Sequence, residues 1–167
     1  MRSLPDDAGS STLSESALQA RYMRLALRLA RRALGLGEVP VGAIVVAEGR
    51  ILGRGCNQSI HKSDPTAHAE IQALRQAARS LGNYRLTSAT LYCTLEPCAM
   101  CSGALIWARV ASLVYGARDP RAGAIDSHLG LARAQFTNHR FKVISGILEE
   151  ESAALLKKFF QSRRPSH

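Results

Sequence analysis

Two short segments constrain this chain more than anything else in it: Pro65-Thr66-Ala67-His68-Ala69-Glu70 and Glu96-Pro97-Cys98-Ala99-Met100-Cys101. His68, Cys98 and Cys101 offer one imidazole and two thiols. That donor set suits zinc, and a zinc held by three protein ligands keeps its fourth position for water. Glu70, two residues past the histidine, stands where it can move that water's protons. On a regular helix, two residues turn through about 200°, so Glu70 does not join His68 as a second ligand. Cys98 and Cys101 share a helical face by their i,i+3 spacing, and a helix N-terminus favours their thiolates. A fold that satisfies both segments must bring two helix starts together, each reached from a strand. A closed structural zinc needs a fourth ligand from Cys56, Cys93 or His61, and it leaves Glu70 without a purpose.

The flanking sequence supplies those strands and helices. Thr12 with Glu15 matches a capping box, with Ser14 as the alternative cap. Leu18, Tyr22, Leu25 or Ala26, Leu29 and Ala33 then recur at helical spacing and are expected to face a sheet. Arg21, Arg24, Arg28, Arg31 and Arg32 fill the rest of that helix as a solvated or RNA-facing side, and Gly35 and Gly37 stop it. Val41 to Ala47 and Ile51 to Cys56 read as paired strands across Glu48-Gly49-Arg50. Asn57 follows at a strand end, as a turn former or as an amide facing a pocket.

Asp64-Pro65-Thr66 reads as a helix entry, with the helix over Ala67–Ser80 before Gly82. Ala89–Leu95 is a third strand, and Pro97 is expected at the first position of the next helix. Gly103 and Ala104 in that helix are expected to allow close packing. Ser112–Gly116 is a fourth strand, followed by a long loop over Gly116–Gly130. A fifth strand covers Phe141–Ser145. The last helix spans Glu149–Phe160, where Phe159 and Phe160 are expected to border the pocket. Lys157, Lys158, Arg163 and Arg164 cluster at its end as a solvated tail or an RNA contact. Five short strands interleaved with helices predict one α/β domain of three layers, α/β/α. Segment 1–13 is expected to be flexible, as is a basic tail over 161–167.

Charge narrows the partner. Lys and Arg number 22 against 13 Asp and Glu, a formal charge of +9, which favours a polyanion such as nucleic acid. No apolar run reaches the roughly 18 residues of a membrane span, so no membrane partner is expected. Four cysteines in a chain large enough to fold unaided read as metal ligands plus two buried thiols, Cys56 and Cys93, in a reducing cytoplasm.

Taken together, H-A-E and P-C-A-M-C resemble the deaminase signature. Further stretches narrow the resemblance to the tRNA-specific adenosine deaminase family, within the cytidine-deaminase-like fold, over about residues 20–162. These are Glu38-Val39-Pro40-Val41-Gly42-Ala43, Asn57, Asn83-Tyr84-Arg85-Leu86, Tyr115-Gly116-Ala117-Arg118-Asp119 and Asn138-His139-Arg140. The resemblance implies a five-stranded mixed sheet and a homodimer that binds the anticodon arm of a tRNA and turns the wobble adenosine into inosine, releasing ammonia. It implies one Zn²⁺ per subunit on His68, Cys98 and Cys101, with Glu70 as the catalytic base and acid. By the same match, Asn57 and the Ala69 backbone hold the target base, Asn138 is a further contact, and Arg118 and Asp119 border the loop that positions neighbouring nucleotides. The stretch Gly123-Ala124-Ile125-Asp126-Ser127-His128-Leu129 departs from the G-A-x-G-S-L run of many members. Two other readings stand beside this one: a deaminase of a free base or nucleoside, of guanine or cytosine type, and an RNA-binding module with a structural zinc.

Overall fold

A computed structural model describes residues 13–163 of the chain. The expectations for segment 1–12, Thr12 included, and for residues 164–167, Arg164 included, lie outside the described residues.

The sheet has the order β2-β1-β3-β4-β5, built from β1 (Gly42–Ala47), β2 (Arg50–Cys56), β3 (Thr90–Leu95), β4 (Ser112–Ala117) and β5 (Lys142–Ser145). β1 runs antiparallel to both β2 and β3, whereas β3, β4 and β5 are mutually parallel. The sheet is therefore mixed. The helices are α1 (Glu15–Gly35), α2 (Ser59–Lys62), α3 (Ala69–Leu81), α4 (Ala99–Ala108) and α5 (Glu149–Ser162).

Alternation along the strands divides the apolar residues between two cores. Ala43, Val45, Leu91, Cys93, Leu113 and Tyr115 face α3 and α4, where they meet Ala73, Leu74 and Leu105. Ile44, Val46, Tyr92 and Val114 face the other way, onto Tyr22, Met23 and Ala26 of α1. The result is the three-layer α/β/α arrangement. Burying each inward side chain contributes about 1.5–3 kcal/mol toward the chain's ordering cost.

Several boundaries differ from the sequence reading, each for a local reason. Ser14, rather than Thr12, caps α1 by accepting a hydrogen bond from Ala17 N at 3.2 Å. The buried stripe of α1 is Tyr22, Met23, Ala26, Leu27, Ala30 and Ala33, with Leu18, Leu25 and Leu29 only half-buried. Five exposed arginines fix one side of this helix, and the face opposite them is the one that buries. The hairpin turn is two residues long, with both Glu48 (φ 51°) and Gly49 (φ 72°) in the left-handed region that suits the strand twist. α3 starts at Ala69, not Ala67, and α4 starts at Ala99, which puts Pro97 before the cap rather than inside the helix. The short α2 was not anticipated. α5 continues through Ser162, so Gln161 and Ser162 are helical. A side chain added at Gly103 would meet nothing within 4 Å, so this glycine lies open on α4 instead of enabling a close contact.

Candidate metal centre and its cleft

The two shifted helix starts make the site. His68 and Cys98 are not inside their helices. Each is the cap residue in extended backbone (φ −72°, ψ 154° and φ −74°, ψ 176°), and neither uses its side chain as a cap. A cap side chain normally turns back to the helix's free N–H groups. Here it is left to project into the cleft.

For α3 the missing cap comes from elsewhere in the chain. Ala69 N donates to Asn57 Oδ1 at 2.9 Å, so the amide that follows β2 caps the helix bearing Glu70. Upstream, Asp64 Oδ1 accepts from Thr66 N (2.8 Å) and Thr66 Oγ1 (2.7 Å), a local turn that delivers the chain to His68. Gly55 on β2 lets the first turn of α3 lie against the strand: a Cβ there would stand 2.1 Å from Ala69 O.

His68 Nδ1 lies 3.7 Å from Cys98 Sγ and 3.5 Å from Cys101 Sγ. Among the described residues, these three form the only group of three or more His, Cys, Asp or Glu able to hold a metal ion. Zinc with ordinary bond lengths and a tetrahedral angle separates its nitrogen and sulfur ligands by about 3.6 Å, so the triangle fits zinc. The protons of the cluster are shared. Hydrogen bonds from the Cys101 thiol and from His68 push the Cys98 thiol down to about 4, against the effect of burial. The Cys101 thiol moves up, through its bond to Cys98 and through burial, and the Cys98 bond raises His68.

Glu70 is enclosed, 4% exposed. Burial pushes its carboxyl up, partly countered by its own backbone N–H and by His68. It lines a cleft of about 200 Å³ together with Val39, Val41, Asn57, His68, Leu95, Glu96, Cys98, Asp119 and Ala122. A buried carboxyl that holds a proton readily, next to a metal triangle, can act as both base and acid.

The other expected site residues divide between this cleft and its surroundings. Asn57 and Asp119 line it. The Ala69 N–H is already given to Asn57, and no hydrogen bond among the described residues engages Asn57 Nδ2. Arg118 and Phe160 line an adjoining groove of about 460 Å³ that shares Val39, Leu95, Asp119 and Ala122 with the cleft. Phe159, expected to border the pocket, lines neither; it is buried, edge-on to Phe160 with ring centroids 5.3 Å apart, and under Arg163. Asn138 is elsewhere, in an open groove along α4 with Gly103, Trp107 and Phe136.

Two buried carboxylates had no role assigned from sequence. Glu38 accepts from His61 N at 2.7 Å, and Glu96 accepts hydrogen bonds from the loop after β4. Burial raises Glu96, but bonds from Ser127, Asp126 and Asp119 outweigh it and hold the group below the usual carboxylate range. Both stand inside motif stretches. The only signal available was an acid beside an apolar or proline-containing run, which does not say what faces it.

With this geometry, the chain matches the model of the MafB19-like deaminase family over residues 18–164. It is 51% identical over 150 residues to a tRNA-specific adenosine deaminase of Haemophilus influenzae, covering 89% of this chain and 87% of that one. A solved structure from work on A-to-I editing by tRNA:A34 deaminases at the wobble position of transfer RNA aligns with a TM-score of 0.80 at 45% identity, over 81% of this chain and 99% of that chain. A guanine deaminase from Nitrosomonas europaea aligns with a TM-score of 0.71 at 26% identity, over 94% and 98% of the two chains.

Proposed function

The chain belongs to the tRNA-specific adenosine deaminase family, and from that membership we propose that it hydrolyses the wobble adenosine of a tRNA, position 34, to inosine and ammonia. The observation that carries the reading is the enclosed Glu70 carboxyl beside the His68, Cys98 and Cys101 triangle in one small cleft. The triangle would hold one zinc ion per chain, which when bound supplies a Lewis acid that makes water nucleophilic near neutral pH.

The chain's own groups do the rest. Glu70 takes a proton from the attacking water and gives it to N1 of the adenine ring. It then takes the remaining proton from the hydroxyl now on C6 and delivers it to the amine, so that the C6–N bond breaks as the C6 carbonyl forms. One water enters and one ammonia departs. Burial of Glu70 favours holding the proton between these transfers. Val39 and Leu95 supply apolar walls for the ring, and Asn57 Nδ2 is available as a donor to a ring acceptor. The base must leave its stack to enter, which an unpaired anticodon loop makes cheap. Arg118, Asp119 and Phe160 along the adjoining groove suit the neighbouring nucleotides, with Arg121 over the Phe160 ring at 5.8 Å.

The surface suits a polyanion: the one ion pair among the described residues joins Arg133 to Asp126, so most of the basic excess is free to meet phosphate. A homodimer is the expected assembly, meeting along α4, where Trp107 is 74% and neighbouring Phe136 83% exposed. Asn138 then belongs to that meeting surface. No described helix is long and apolar enough to cross a membrane, and the reaction belongs in the cytoplasm with its tRNA.

The deciding experiment sequences total tRNA for inosine after treatment with zinc-loaded protein, beside assays on free guanine, cytosine, cytidine and adenosine. Inosine confined to position 34 is the expected result. Ammonia from a free base with tRNA untouched would assign the activity of the guanine deaminase that shares this fold.

A further inference from the structure

Glu96 stands between β3 and the first cysteine ligand, and its carboxylate is 2% exposed. It faces no cation. Instead it accepts four hydrogen bonds from the loop after β4: Asp119 N at 3.0 Å and Ser127 Oγ at 2.5 Å on Oε2, and Asp126 N and Ser127 N, both at 2.8 Å, on Oε1. Gly123 packs against the same carboxylate, so closely that a Cβ would come within 2.4 Å of it. Around this hub the loop is tied to the ligand segment itself. Cys98 bridges to Gly123, and Ala124 N donates to Pro97 O at 2.9 Å. Two residues of the segment so gathered, Asp119 and Ala122, line the cleft.

We propose that Glu96 is a positioning residue: its carboxylate gathers the backbone N–H groups of residues 119, 126 and 127 and so holds the loop in the shape that receives the RNA beside the target base. Its acceptor sites are taken by the loop, so it acts through Asp119 and Ala122 and not on the reacting atoms. A carboxylate is required because every partner is a donor. An amide in its place would set an NH₂ group against the Asp119 N–H or against the pair at 126 and 127.

The proposal rests on the tRNA reading above, and its test separates the two. Zinc-loaded wild type, Glu96→Gln and Ser127→Ala are compared for metal content, for amide hydrogen exchange over residues 117–130, and for kcat and KM on an anticodon-arm RNA. The expected result for Glu96→Gln is one metal per chain, exchange accelerated at least tenfold and confined to this loop, and KM raised tenfold or more with kcat within threefold. Ser127→Ala, which removes one of the four bonds, falls between it and wild type. Gly123→Ala, which presses on the carboxylate from the other side, gives the same KM-weighted loss. Unchanged exchange and unchanged KM would overturn the positioning role. Loss of metal, or exchange raised across the whole chain, would overturn it in favour of a purely structural carboxylate. Wild type inactive on the RNA would sink the substrate reading, while the exchange result still decides what Glu96 does to the loop.

Discussion

The helices α3 and α4 begin alike and are clothed differently. Each has a metal ligand at its cap position, with the side chain turned away from the helix. Beyond the first turn they diverge. α3 buries one side, Ala69, Ala73, Leu74 and Ala77, and shows Arg75, Gln76 and Arg79 to solvent. α4 reads Ala-Met-Cys-Ser-Gly-Ala-Leu-Ile-Trp-Ala, apolar nearly all round, and only part of it is covered by its own chain. A helix apolar on every side belongs in an interior. α3 is thus completed by the fold, whereas α4 leaves Met100 and Trp107 exposed. The same chemical task sits on one element that is finished within the chain and on another whose outer side stays exposed, the side proposed above as the dimer contact.

That contrast can be broken at four points of decreasing effect. On α4, Cys98→Ala removes a ligand, so metal content measured by atomic absorption falls from one per chain toward none, and turnover is lost with it. On α3, Glu70→Gln keeps the metal and the fold but lowers kcat by about 10²–10⁴. Equal kcat in a metal-matched sample would remove Glu70 from the mechanism. Trp107→Glu on the open side of α4 shifts the mass seen by light scattering from two chains to one. Because Trp107 is 74% exposed, the stability of the single chain changes by no more than about 0.5 kcal/mol. An unchanged mass would move the dimer contact off α4. The last, Asn57→Ala, uncaps α3 at a cost of about 1 kcal/mol, or about 2–4 °C in Tm, and also removes the Nδ2 donor proposed to meet the base. The matching loss is absent in α4, whose start has no side-chain cap to remove.

The sequence carried the metal triangle because spacing restricts it: an i,i+3 cysteine pair after a strand, joined to a histidine in the first turn of an expected helix. It carried the sheet because the strands are short apolar runs between turn residues. It misplaced both site-helix starts by two residues, and those residues matter. Proline at 65 and at 97 suggested helices beginning beside them, whereas the extended backbone at His68 and Cys98 delays both. The turn of about 200° that separated Glu70 from the ligands assumed a regular helix through His68, whereas His68 is in extended backbone at the cap. Asn57 invited a choice between turn former and pocket amide. Its Oδ1 is a helix cap for a segment twelve residues away, a contact only the folded chain creates. Glu96 and Glu38 were illegible for the same reason, since a buried carboxylate is defined by the donors around it.

The cap at Asn57 also gives the cleft a fixed polarity. With its carbonyl oxygen held by Ala69 N, the amide cannot turn over without setting NH₂ against N–H. Under the proposed function, a ring held against Asn57 therefore meets a donor there and not an acceptor. On that reading, a ring edge with a lone pair is favoured there over one that carries a hydrogen. The selection is imposed by the need to finish a helix.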